Sequence, residues 1–308
     1  MIQFSAYSFF YIGVLMIGKL SSTYRRWKKH SIYLSLLPDK LEVVNTGSSP
    51  LYNAFEYNLW KCKGGNFAYQ PQSLYYDIKT LEKYKNKLAK NAIILFGIEE
   101  FKLCAEYVDI IKDYKYYLWL DAKQVLTYSK LRAFLFRFFP FIAYPQFIWR
   151  DIKSVIKLIL RYHVSQRVDA STETEDLLYA IEWLKGWTNE FNWNEGYTLS
   201  SAQLKILELN KKRLISAIKE CKENNYRPYI VVPPFSPNLI KILPEQLLKD
   251  CLWNPIEDIS KEQDIEIIDC YHEPLFSDWS LYTNALILNN RGKEKFNNYI
   301  QEKLKLKQ

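Results

Sequence analysis

Cysteine and histidine are scarce in this chain. Its five cysteines, Cys62, Cys104, Cys221, Cys251 and Cys270, are scattered over 308 residues, odd in number and without a C-x-x-C pair. That pattern argues against a disulfide framework and against a thiolate metal cluster, and suits small apolar residues packed in a core. The only histidines are His30, His163 and His272, too few for a histidine-built metal site. No metal and no cofactor is expected. Zinc-finger spacing, an RNP motif and an arginine-rich stripe are all missing, so nucleic acid is not an expected partner. Internal repeats and low-complexity tracts are missing too.

Apolar and aromatic residues are plentiful. Hydrophobic residues make up 48% and charged residues 25% of the chain, with 24 Tyr, 17 Phe and 9 Trp. The length allows one large domain or two small ones, and the composition is that of a globular protein. So many rings point to broad apolar surfaces, sugar-stacking sites or a membrane interface. A formal net charge of +8 favours anionic partners. With nucleic acid set aside, a membrane surface is the better use of that charge.

Residues 2–18, "IQFSAYSFFYIGVLMIG", are uncharged and mostly apolar, and "KLSSTYRRWKKH" follows them. The run is slightly short of the ~20 residues a spanning helix needs. It has neither a basic leading region nor a small-residue cleavage site, which disfavours a cleaved signal. Two readings stand: a membrane anchor over 1–22, or a buried first helix. The basic cluster Arg25, Arg26, Lys28 and Lys29 favours the anchor and puts the rest of the chain on the cytoplasmic side. A second aromatic stretch, "LRAFLFRFFPFIAYPQFIWR" (131–150), carries three arginines and two prolines. It reads as an amphipathic element that lies in a headgroup region or caps a pocket, or else as helices packed on a core.

The remainder alternates helices and strands, the pattern of an α/β sheet. Strands are expected at 41–45, 91–98 and 264–271, with a short strand and turn over 64–71 and a strand running into a proline-stiffened loop over 227–235. Helices are expected from Leu51, over 73–90, over 200–226 and over 289–306. The continuous apolar run "NAIILFGI" fits a central parallel strand. Residues from about 100 to 195 are helical and aromatic, as in an insertion or lid. The expected organisation is an anchor (1–22) and one α/β domain (23–308) that carries this insertion.

Four passages have a further likeness. "NTGSSP" follows the first strand; "GNFAYQPQSLYYD", "ILFGIEE" and "NALILNNRGKEKF" come after it in order. Together they resemble the four blocks of the SGNH superfamily, the GDSL-like esterases and acyltransferases. The nearest likeness is to membrane-anchored SGNH-like proteins of bacterial cell-surface polysaccharide loci. The resemblance implies a three-layer α/β/α sandwich with a mostly parallel sheet, and a glycan or acylated sugar as substrate. It puts Ser49 at the nucleophile position and Ser48 at the aspartate of the Gly-Asp-Ser turn. Asn66, Ala68 and Gly97 fall in the binding blocks, Ala68 replacing the glycine whose amide helps hold the oxyanion. Glu99 replaces the oxyanion-stabilising asparagine. In the last block Leu288, Asn289 and Gly292 match, but Asn284 stands at the catalytic aspartate and Ile287 at the catalytic histidine.

Those replacements bear on the chemistry. A serine hydroxyl is a weak nucleophile until a base takes its proton, and isoleucine accepts none. A carboxylate at Glu99 would repel a developing oxyanion. The enzyme implied by the resemblance is therefore impaired. His272, with Asp269, Glu273 or Asp278 to orient it, is an alternative base, and a surface-loop histidine is its plainer reading. Glu99 with Glu100 could form an acid/base pair in which one pKa is raised by its neighbour; a solvated strand end is the plainer alternative. Ser49 too has a plainer role, capping the helix that follows. A binder of glycan or lipid-linked sugar, or a scaffold at the membrane, is the second functional reading.

Overall fold

A computed structural model describes residues 22–106, 113–139, 172–193 and 196–306. Residues 1–21 of the expected anchor (1–22), residues 140–150 and His163 lie outside the described residues. Among the described residues, no helix is long and apolar enough to cross a membrane. The chain divides into two compact units.

The larger unit, from Pro38 to Glu106 and from Arg167 onward, is α/β. Its sheet has five strands: β1 (Leu41–Asn45), β2 (Gly64–Asn66), β3 (Leu88–Gly97), β4 (Arg227–Val232) and β5 (Ile267–Asp269). They lie in the order β2-β1-β3-β4-β5, and every pairing is parallel. Val43, Ile93, Leu95, Val231 and Ile268 form one apolar cluster with Leu51, Ala54, Phe296 and Ile300. Those partners come from α2 (Ser49–Ala54) and α10 (Asn290–Lys303). Elsewhere α3 (Leu74–Tyr84) and α9 (Asn254–Gln263) both pack on the long α6 (Ser201–Glu223), which also meets β4. Among the described residues of this unit the remaining α-helices are α5 (Glu173–Phe191), α7 (Pro237–Ile242) and α8 (Glu245–Leu248), which runs through a π turn into α9.

Several expected boundaries move, two of them for a visible reason. The helix expected over 73–90 ends at Tyr84, and a short 3-10 turn at Lys85–Lys87 leads into β3 at Leu88. There Leu41 pairs with Leu88, so sheet pairing overrides the helical run of lysines. The last strand spans only Ile267–Asp269 rather than 264–271, because Asp264 turns left-handed to end α9.

The smaller unit contains α1 (Ser22–Leu36), a 3-10 turn at Tyr114–Leu118 and α4 (Lys130–Phe138). Phe136, the buried residue of α4, lies 5.5 Å from the Tyr114 ring and parallel to it, and meets Tyr24 and Trp27 of α1. Ser31 donates to the Leu118 carbonyl at 2.8 Å. His30 is buried, 5.2 Å from Trp119 ring to ring. Burial first, and Lys115 second, pull its pKa down to about 3, so it is neutral at physiological pH.

Candidate functional site

The sheet order reverses between β1 and β3, and open parallel sheets receive ligands outside the carboxyl ends of the strands at such a crevice. Asn45, Thr46, Gly47 and Ser48 leave β1 there, and Gly97 to Glu100 leave β3. The chains come close. A Cβ on Gly97 would sit 2.6 Å from the Thr46 carbonyl oxygen and collide with Leu51, while Gly47 has φ +138, open to glycine and strained for other residues. Both glycines are therefore needed to let the two strand ends meet.

What fills the crevice is internal. The Ser48 amide donates to Oε1 of Glu99, and the Gly47 amide donates to Oδ1 of Asp77, 3.2 Å away. Asp77 comes from α3 and is fully buried. One ammonium serves both acids: Lys102 Nζ is 2.7 Å from Asp77 and 3.0 Å from Glu99. Gln72 Nε2 donates to Asp77 at 2.7 Å and to the Phe67 carbonyl at 3.0 Å. Burial raises the Asp77 pKa to about 6 against the pull of Lys102. Burial would lower the Lys102 pKa, but Asp77 and Glu99 outweigh it and the net shift is upward. The consecutive amides of such a turn are a ready anion cradle. In this chain the protein's own carboxylates occupy it.

Neighbouring donors are also engaged. Asn66, at the end of β2, accepts from the Ala68 amide at 3.0 Å and from Asn45 Nδ2 at 3.1 Å, and it donates to the Tyr52 carbonyl. The Ser48 hydroxyl accepts from the Gln72 amide at 3.3 Å rather than capping α2. Ser49 opens α2; its carbonyl accepts from Asn53 at 2.7 Å, and its half-buried side chain makes no hydrogen bond among the described residues. The capping role considered for the Ser-Ser-Pro turn is thus not made by either hydroxyl.

The carboxylates at the end of β3 are not solvated, which corrects the plainer expectation for Glu99 and Glu100. Both are buried, because the chain turns back on itself after Gly97 and Lys102 returns to Glu99. Among the described residues Glu100 makes no ion pair with Lys102: its backbone carbonyl accepts from Cys251 Sγ, and its carboxyl bears on Tyr271. Its pKa rises to about 8, through burial first and the Glu99 charge second.

The last block folds around itself. Asn284 Oδ1 accepts from the amides of Leu286 and Ile287 at 3.4 and 3.1 Å, and its carbonyl accepts from Trp183 Nε1. The half-buried Ile287 returns its carbonyl to the Thr283 amide at 2.7 Å. His272 is 61% exposed at its side chain, and its Nδ1 lies 2.7 Å from Asp269 Oδ2 with the ring against Trp253. Glu273 instead accepts from Tyr299, and Asp278 accepts from the Ser280 amide. Three strand spacings separate β1 from β5, roughly 14 Å at ~4.8 Å each. Among the described residues no hydrogen bond joins Ser49 to Asn284, Ile287 or His272. The described residues hold no cluster of His, Cys, Asp or Glu fit for a metal ion.

No family model and no curated protein matches this chain. The site must be read from its own geometry. Sequence reasoning missed Asp77, Lys102 and Gln72. The signal was there: Asp77 sits on the face of α3 that buries Leu74 and Leu81, and a carboxylate on a core face requires a cation or donors to meet it.

Proposed function

We propose that this chain is an SGNH-like protein of bacterial cell-envelope polysaccharide or glycolipid assembly, membrane-associated through its amino-terminal segment, whose esterase chemistry is disabled. The support is the state of the two oxyanion positions that the resemblance implies. The Ala68 amide is spent on Asn66, and Glu99 offers an acceptor where a donor is needed. Stabilising an oxyanion needs free donors aimed at it. Neither position supplies one, and neither Asn284 nor Ile287 can take the proton of Ser49. The all-parallel sheet, in the order β2-β1-β3-β4-β5, is compatible with the three-layer sandwich of that superfamily.

The same observation favours a second reading, a binder of glycan or lipid-linked sugar in an enzyme's former scaffold. Incubation with a fluorophosphonate probe tests the disabled site directly. The expected outcome is no Ser49-dependent labelling, whereas labelling that Ser49→Ala removes would return the chain to the active esterases.

A further inference from the structure

The smaller unit has an open groove of about 1040 Å³ between α1 and α4. From α1 it is lined by Arg25, Lys28, Lys29 and Ile32, spaced i, i+3, i+4, i+7 and hence on one helical face. The other face of α1 is the buried one, with Trp27, His30, Ser31 and Leu34, so the cations are held outward by the packing of their own helix. From α4 come Phe134, Arg137 and Phe138. The two rings lie 4.9 Å apart, and the Arg137 guanidinium is 5.5 Å from the Phe138 centroid.

Charge and apolar surface therefore share one opening. None of the four cations makes an ion pair among the described residues. Among the described residues the one acid in the lining is Asp121, which caps the turn at Ala122–Gln124. Phe134 is 52% exposed, and beside it Leu131 is 65% exposed. The exposed rings and leucine are unfavourable in plain water, and they and the cations beside them each have a use at a bilayer surface: cations meet lipid phosphates and rings enter the acyl boundary. A nucleic acid would use the charges, but would leave Ile32 and Leu131 without a partner.

We propose that this groove docks on anionic phospholipid, seating lipid phosphates against Arg25, Lys28, Lys29 and Arg137 with Phe134 and Phe138 in the interface. The inference rests on the membrane association proposed above and adds a headgroup-selective contact to it. An inserted hydrophobic segment is indifferent to headgroup charge, whereas the groove is not.

The test is flotation of the full chain with phosphatidylcholine vesicles and with vesicles that also contain phosphatidylglycerol. The proposal expects tighter binding to the anionic vesicles, weakened by added salt. Each of Arg25→Gln, Lys28→Gln, Lys29→Gln and Arg137→Gln should weaken that preference about fivefold, while Lys219→Gln in the other unit leaves it unchanged. Phe134→Ser should weaken binding without removing the preference for anionic lipid. All these side chains are exposed, so an unchanged melting temperature confirms that each variant folds. Equal binding to both vesicle types overturns the groove and leaves an anchor. Binding to neither overturns both. Tight binding of a single-stranded RNA with no gain on anionic vesicles overturns the lipid proposal as well.

Discussion

Lys102 is the residue on which the crevice turns. It is buried between two carboxylates, and a buried ion pair adds little net stability while losing one partner is expensive. Lys102→Met is expected to destabilise the larger unit by about 3–5 kcal/mol in urea unfolding; a change below about 1 kcal/mol would mean that the two acids are not held by it. Glu100 makes the opposite kind of prediction. Its folded pKa, about 8, lies above the ordinary 4.5, so the native state holds the proton more tightly. The stabilising contribution is full below pH 4.5 and is lost as pH rises through 8. Glu100→Gln should flatten the fall in melting temperature across that window and leave the variant more stable than wild type at its upper end. His30 has the reverse sign, since its folded pKa of about 3 lies below its ordinary 6.5. Stability falls as pH drops through that range, because the unfolded chain binds the proton first. His30→Phe should lessen this acid sensitivity in a pH series of melting curves.

At the scale of elements, local chemistry made some boundaries readable and tertiary pairing hid others. The start of α6 was legible: Ser200 accepts from the Gln203 amide at 3.3 Å and Gln203 reaches back to Ser200 at 2.8 Å. This reciprocal cap uses residues three apart. Ser200→Ala is expected to cost about 1 kcal/mol of stability, with no change in any binding property. The apolar runs of β1, β3 and β4 were legible for the same reason, since a strand buried on both faces reads as a continuous run. The first residues of β3 were not, because Leu88, Ala89 and Lys90 continue a helical spacing and only the partner at Leu41 makes them a strand. α7, α8 and α9 are not legible in a stretch broken by Pro237, Pro244 and Pro255. Proline suits the first turn of a helix as readily as a loop.

For the whole molecule, the arrangement of the sheet brings residues far apart in sequence into one crevice. The turn at Gly47 and Ser48 could be read from the sequence as the mouth of a site, and Glu99 as its neighbour. Asp77 and Gln72, from the segment between them, could not be placed, because only the tertiary fold brings Asp77 to the Gly47 amide and Gln72 to Asp77. The result is a switch-point crevice closed by the protein's own carboxylates, with the loop holding Asn284 and Ile287 bonded to itself. Hydrolysis of a small activated acetyl ester by the purified full-length protein, compared with Ser49→Ala, tests this most directly. The account predicts that wild type and variant are equally slow, at the background rate of the buffer. Turnover well above background that Ser49→Ala abolishes would contradict it.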